Sequence, residues 1–335
     1  MTVAVPSPDL AARTLQLVDV PSESRSESAA VELVRELMPG APVYDDGEAL
    51  LYGEGPVVLA GHLDTIPAQG NIPGRIEDGV VHGLGSSDMK GGVAVMLELA
   101  RARVPARYLF FTREEVPVAE SPLPELFGTG LLSDAELAVV LEPTDNELHA
   151  GCLGNLQARV TFRGESAHSA RPWMGMNAIH ELVRGLEPLV ALGPHDVELD
   201  GLVFREVASA VRVEGGIASN VIPASASVEL NVRYVRAGAA GRLAALLPTG
   251  ELEILSDSPS APPALDNPRV AQLRALVPVV KPKQAWTPVA QFAEQGVDAI
   301  NFGPGPTAYA HRVDEQVPIA NLERCYETLR VFLSD

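Results

Sequence analysis

Cysteine is scarce in this 335-residue chain, which holds only Cys152 and Cys325. Two cysteines make no disulfide framework, and the reduced interior of a cell is the simplest setting for them. Cationic side chains are also few: 25 Lys and Arg against 44 Asp and Glu leave a formal charge of -19. Nucleic acid and anionic membrane surfaces both need a basic face, so neither is an expected partner. A small anionic substrate stays open, because a local arginine cluster can override the global field. No apolar run approaches the roughly 18 residues that suggest a membrane span. The opening MTVAVPSPDL has no basic run before an apolar block, and its prolines come early. No signal helix is expected there, and the location read is cytoplasmic. The chain also lacks internal repeats and low-complexity tracts.

Apolar residues are plentiful at 46%, enough for a sizeable core, and the length suggests about two domains. Residues 9–20 and 26–38 carry helical spacing, with the serines of PSESRSES as candidate caps for the second helix. PVVLA at 56–60, RYLFFT at 107–112 and ELAVVL at 136–141 read as buried strands, with a helix at 91–103 between the first two. Apolar strands alternating with helices predict an α/β fold with a mostly parallel sheet under helices. Residues 120–124, with two prolines, read as a surface loop. After Gly154 the pattern alternates instead, at 157–162, 208–213 and 225–232, with helices at 175–192 and 239–247 and a strand at 252–255. This predicts an inserted α+β domain at 156–265, within a catalytic domain of 1–155 plus 266–335. The latter resumes with a helix at 288–295, a strand at 298–302 and a terminal helix at 321–332.

Side chains that can hold a metal fall at the ends of the predicted strands. His62 and Asp64 follow the first, Asp88 comes 26 residues after His62, and Glu114 and Glu115 follow 26 and 27 residues later. Glu142 lies 27 beyond Glu115, and His311 arrives in the returning segment. One strand and its crossover take about this length, which would set each carboxylate at the C-terminal edge of one sheet, where ligands bind in open α/β folds. Imidazoles with carboxylates suit zinc, cobalt or manganese better than calcium. Asp64 could accept from the other ring N–H of His62. Adjacent glutamates in a strand face opposite ways, so Glu114 and Glu115 share a site only if the chain bends there. His82, His149, His180 and His195 read as structural. Gly303 and Gly305 read as a permissive turn whose N–H groups could meet a substrate carboxylate.

The segments GHLDT, GLGSSDMKGG, TREE, LEPT, ESAHSARP, SNVIP and FGPGPTAYAHRVDE together resemble the dinuclear-metal aminoacylase and carboxypeptidase family, the M20-type metallopeptidases, over nearly the whole chain. The resemblance implies two divalent ions, zinc or alternatively cobalt, with Asp88 bridging them. His62 and Glu142 would complete one shell, and Glu115 and His311 the other. It implies Glu114 as general base, an inserted ferredoxin-like domain that acts as lid and homodimer contact, and His168 in that domain as an oxyanion donor to the partner subunit. AGCLG, SAVRVEGG, SNVIP and NFGPG are most similar to the desuccinylase type. That implies removal of succinate from N-succinyl-LL-2,6-diaminopimelate, with Arg171, Asn220, Arg233 and Gly303 as candidates for gripping the substrate. The alternative substrates are another N-acyl amino acid, such as acetylornithine or acylated lysine, and a small dipeptide. Two departures bear on the acyl group: Pro288 stands in WTPVAQF where many relatives have Asp, and AGCLGNLQ lacks the paired arginines of some desuccinylases. A catalytically silent binding protein is the competing class. It would be expected to lose Glu114 or a metal ligand, and the sequence retains them.

Overall fold

The run Val57 to Gly61 makes the strand Val57–His62, buried along its whole length. Burial on both faces is what a central parallel strand requires. It pairs in parallel with Arg107–Phe111 and Leu137–Val140, and the latter pairs in parallel with Ala299–Asn301. Antiparallel neighbours flank this centre: Ala49–Gly53 on one side, extended by Tyr44–Asp45, and Leu148–Ala150 on the other. With Val280–Pro282 the sheet has eight strands. The expected parallel sheet is thus its four-stranded middle. The flanking strands have two to five residues, too short for a legible pattern, and owe their form to pairing.

The computed structural model describes residues 9–334, and the chain divides into two compact units. The first holds the described part of Met1–Gly151 with Pro263–Lys281 and Gln291–Asp335; the second is Cys152–Pro262 with Pro282–Ala290. Pro282–Ala290 clusters with the second unit because Leu153 N–H donates to Ala285 O, and Gln284 joins Arg205 N–H to Val203 O. The expected boundary at 265 did not include this return.

In the first unit, nine of the eleven residues of helix Gly91–Arg101 are buried, the signature of a helix packed all round. Gly92 allows close approach, since a Cβ there would stand 2.6 Å from Leu141 O. Helices Leu10–Val18 and Ser28–Leu37 occupy the expected places. No serine caps the second: Glu27 stands at its N-cap but makes no capping side-chain bond, its carboxylate accepting from Arg25 N–H instead. Residues 120–124 are less irregular than expected, because helix Leu123–Gly128 begins inside them.

The second unit is α+β. Its antiparallel sheet runs His195–Leu199, Leu202–Gly215, Ser225–Tyr234, Gly154–Arg163, Glu251–Ser258. Alternate residues Leu156, Ala158, Val160 and Phe162 join Val228 and Leu230 in a core covered by Leu182, Leu189 and Leu243 from helices. Each such large side chain contributes about 1.5–3 kcal/mol when fully buried. The helix expected over 175–192 is two, Ala178–Gly185 and Glu187–Leu192. Pro188, lacking an N–H, interrupts the ladder and starts the second. Among the described residues no helix is long and apolar enough to cross a membrane.

Candidate metal centre

His62 is the last residue of the central strand and is 1% exposed. Its Nδ1 lies 3.1 Å from the Asp64 carbonyl oxygen and 3.4 Å from Asp64 Oδ1. A carbonyl can only accept, so Nδ1 carries the proton there and Nε2 is the nitrogen left for other work. Nε2 faces Asp88 Oδ1 at 3.3 Å and Glu142 Oε1 at 3.8 Å.

Asp64, fully buried, also organises the two glutamates. Strand Arg107–Phe111 ends before them, and Arg113 takes a left-handed φ of 60°. The bend turns successive amides onto one carboxylate: Glu114 N–H donates to Asp64 Oδ1 and Glu115 N–H to Oδ2, each at 3.0 Å. Ser24 Oγ donates to Oδ2 at 2.7 Å. Burial alone would raise the Asp64 pKa, but His62, the Glu115 amide and Ser24 hold it down to about 2. This capped bend meets the condition for adjacent glutamates to share a site.

Asp88 stands before helix Gly91–Arg101 and turns its two oxygens to different imidazoles. Oδ1 faces His62, and Oδ2 lies 3.5 Å from Nε2 of His311. His311 Nε2 also lies 2.9 Å from Glu115 Oε1. Donor atoms of His62, Asp88 and Glu115 all fall within 4.8 Å of one another. Glu142, 6% exposed, follows strand Leu137–Val140.

The electrostatics fit a divalent cation. Burial would lower the His62 pKa, but Asp64 and Asp88 hold it well above the ordinary value. The hydrogen bond to Glu115 lifts His311 to about 9. Burial, and then the charge of Glu142, pushes Glu114 well above the usual carboxylate range. Carboxylates that hold protons on two imidazoles favour a metal in the protons' place, and the mixed N and O donor set suits zinc or its neighbours.

Gly303 also belongs to the first unit, but its N–H donates to Thr144 Oγ1 at 3.0 Å. That corrects the expectation that it presents an amide to substrate. The glycine serves close packing: a Cβ would stand 2.3 Å from Leu141 O and 2.5 Å from Glu142 O. Gly305 likewise abuts Ser87 O, and neither φ is left-handed.

In the second unit, His168, Arg171 and Asn220 share one loop region. Ser169 N–H donates to Asn220 O, Arg171 N–H donates to His168 O, and His168 bridges to Val221. Ala170 N–H donates to His168 Nδ1 at 3.0 Å, leaving Nε2–H as a donor on an exposed imidazole. Arg233 lies elsewhere, half-buried on strand Ser225–Tyr234, with its Nε on Asn231 Oδ1. Burial lowers its pKa.

Two further residues contribute to the site. Ser24 lies in PSESRSES, whose serines suggest only a helix cap, and nothing local signals its bond to Asp64. Glu315 sits inside FGPGPTAYAHRVDE, four residues after His311, and nothing in that run marks its bonds to the Gly85, Ser87 and Asp88 amides.

Residues 58–335 match Peptidase family M20/M25/M40. The chain is 37% identical to a putative succinyl-diaminopimelate desuccinylase DapE of Mycobacterium tuberculosis, over 96% of each chain. It is 32% identical to succinyl-diaminopimelate desuccinylase of Corynebacterium glutamicum, over 96% of this chain and 95% of the other. Among solved structures, aminopeptidase PepT from Bacillus cereus superposes with a TM-score of 0.75 at 18% identity, over 97% of each chain. An M20 metallo-carboxypeptidase from Sulfolobus solfataricus gives 0.73 at 15% identity, over 97% of this chain and 98% of that one. The two solved structures show the shared fold; the family match over residues 58–335, with the clustered His62, Asp88 and Glu115, makes the chain a metal-dependent hydrolase of amide or peptide bonds, and it belongs to peptidase family M20/M25/M40.

Proposed function

We propose that this protein hydrolyses N-succinyl-LL-2,6-diaminopimelate to succinate and LL-2,6-diaminopimelate, using two divalent ions, zinc or alternatively cobalt. The observation that carries the two-ion reading is Asp88, whose two oxygens face different imidazoles. Sequence likeness to desuccinylases along almost the whole chain supports the substrate. His62 and Glu142 would hold one ion, Glu115 and His311 the other, and Asp88 both. When bound, the ions supply Lewis acidity toward the scissile carbonyl and lower the pKa of water.

In this reading Glu114 takes a proton from the attacking water as the new C–O bond forms. It then delivers that proton to the departing nitrogen as the C–N bond breaks, so succinate and a free amine leave. Asp64 holds the His62 ring and the Glu114–Glu115 bend in place. His168 of the partner subunit donates Nε2–H to the developing oxyanion, and Arg171, Asn220 and Arg233 grip substrate carboxylates, with arginine suited to bidentate contact. Gly303, whose N–H is bonded to Thr144 Oγ1, takes no part in gripping the substrate in this reading.

Homodimerisation through the second unit is part of the proposal. Strand His195–Leu199 covers Leu202–Gly215 only as far as Glu206, which leaves the edge from Val207 onward open. Val211 and Val213 on it are exposed, and such an edge pairs readily with another copy. The cytoplasmic setting is supported by Cys152 and Cys325, both buried and free.

The test is amine release by the zinc-loaded and cobalt-loaded protein from N-succinyl-diaminopimelate, N-acetylornithine, N-acyl-lysines and small dipeptides. The succinyl substrate should give the highest kcat/KM. A higher value for acetylornithine, acyl-lysine or a dipeptide would replace the substrate assignment with that activity.

A further inference from the structure

We propose that Glu315 is a positioning residue of the metal centre, its buried carboxylate fixing the backbone that carries Asp88 while its own segment carries His311. The inference rests on the reading of Asp88 and His311 as metal ligands. Glu315 is 2% exposed. Its Oε2 accepts from Gly85 N–H at 2.8 Å, and its Oε1 accepts from Ser87 N–H at 3.0 Å and Asp88 N–H at 2.9 Å. Its carbonyl oxygen accepts from Gly83 N–H at 3.0 Å. Both carboxylate oxygens are thus committed to main-chain amides, which gives Glu315 a different task from the groups facing the imidazoles.

The backbone between strand Val80–His82 and helix Gly91–Arg101 has few regular bonds of its own. Asp88 and Met89 are non-helical, and Gly85 takes a left-handed φ of 77°. Left to itself such a turn has many conformations; three amides converging on one anion select one. The anion comes from a segment 227 residues later in the chain. That segment is held in register because Gln316–Pro318 pairs antiparallel with Val80–His82. His311 precedes Glu315 by four residues, so a single strand-anchored segment sets the places of two candidate ligands, one through its own backbone and one through the carboxylate.

A carboxylate suits this task better than its amide. Glutamine offers one oxygen and turns its NH2 toward at least one amide donor, leaving that donor without a partner in a buried place. The expected result for Glu315→Gln is a zinc affinity weakened about 10–100-fold, the range seen when groups that orient ligands are removed. The affinity is read by competition with a chromophoric chelator, independently of turnover. Glu206→Gln is the matched control, since Glu206 is also buried and accepts from the amides of Val235 and Arg236. It should lose stability while keeping wild-type zinc affinity. Wild-type affinity in folded Glu315→Gln, or equal weakening in both variants, overturns the proposal. Asp88→Asn in the same titration separates the two levels: wild-type zinc binding there would sink the ligand reading itself.

Should Glu315→Gln fail to fold, the wild-type protein stripped by chelator decides by amide hydrogen exchange. Protection at Gly85, Ser87 and Asp88 before zinc is added supports a turn set by Glu315. Fast exchange that slows only with zinc overturns it.

Discussion

Replacing Asp64 by Asn exchanges one oxygen for an NH2 at a junction where both oxygens are occupied. Oδ1 accepts from Glu114 N–H, and Oδ2 accepts from Glu115 N–H and Ser24 Oγ. The best arrangement keeps the remaining oxygen on Glu114 and turns the NH2 toward Ser24, whose hydroxyl can rotate to accept. Glu115 N–H then faces another donor. Losing a hydrogen bond to a charged acceptor and leaving a buried amide unpaired should cost about 2–4 kcal/mol together. The damage falls on the backbone of Glu115, so zinc affinity should drop by about 10–100-fold as well. Urea unfolding of the chelator-stripped protein followed by circular dichroism reads the first quantity, and chelator competition reads the second. Ser24→Ala removes only one hydroxyl bond and should cost about 1 kcal/mol. An Asp64→Asn protein with wild-type unfolding midpoint and wild-type zinc affinity would refute the idea that Asp64 holds the Glu114–Glu115 bend.

Glu114→Gln should lower turnover by about 10²–10⁴ with metal content unchanged; parallel loss of metal, read by elemental analysis, would make Glu114 a ligand. His168→Ala should cost roughly 3 kcal/mol of transition-state stabilisation in steady-state kinetics, with metal binding intact. If His168 acts on the partner's site, freely exchanging mixtures of His168→Ala with Glu114→Gln should recover about one quarter of wild-type activity. Verified heterodimers without activity would exclude that trans role. Glu206 supplies a pH prediction: burial opposes its ionisation, yet Arg236 and the Val235 and Arg236 amides lower its pKa from 4.5 to about 2. Its ionised form therefore stabilises the fold above about pH 4.5, by about 2–3 kcal/mol once solvent screening of its partly exposed partners is allowed for, and this is lost as pH falls toward 2. Both tryptophans, Trp173 and Trp286, lie in the second unit with Glu206, so their fluorescence should report urea unfolding of that unit. Glu206→Gln should flatten the decline between pH 5 and 2, and an unchanged slope would contradict the assignment.

Local pattern was enough for the central strands, since Val57–His62, Arg107–Phe111 and Leu137–Val140 are apolar runs buried on both faces. Their spacing also put His62, Asp88, Glu115 and Glu142 near strand and crossover ends, because crossover length is a one-dimensional property of the chain. Alternation marked the strands of the second unit for the same reason. Pro188 explains why the spacing over 175–192, which predicts one helix, folds as two, since a residue without an N–H breaks the ladder there.

Tertiary structure decided what one-dimensional spacing cannot carry. Glu114 and Glu115 lie beside one another because Asp64, some fifty residues earlier, caps two successive amides. Asp88 faces two imidazoles on a turn held by Glu315, from the far end of the chain. Gly303 has its place through contact with the backbone of Glu142, not through a permissive φ. Side-chain type and interval survive in the sequence, whereas direction at a strand end is set by hydrogen bonds between distant segments, and these exist only once the chain has folded.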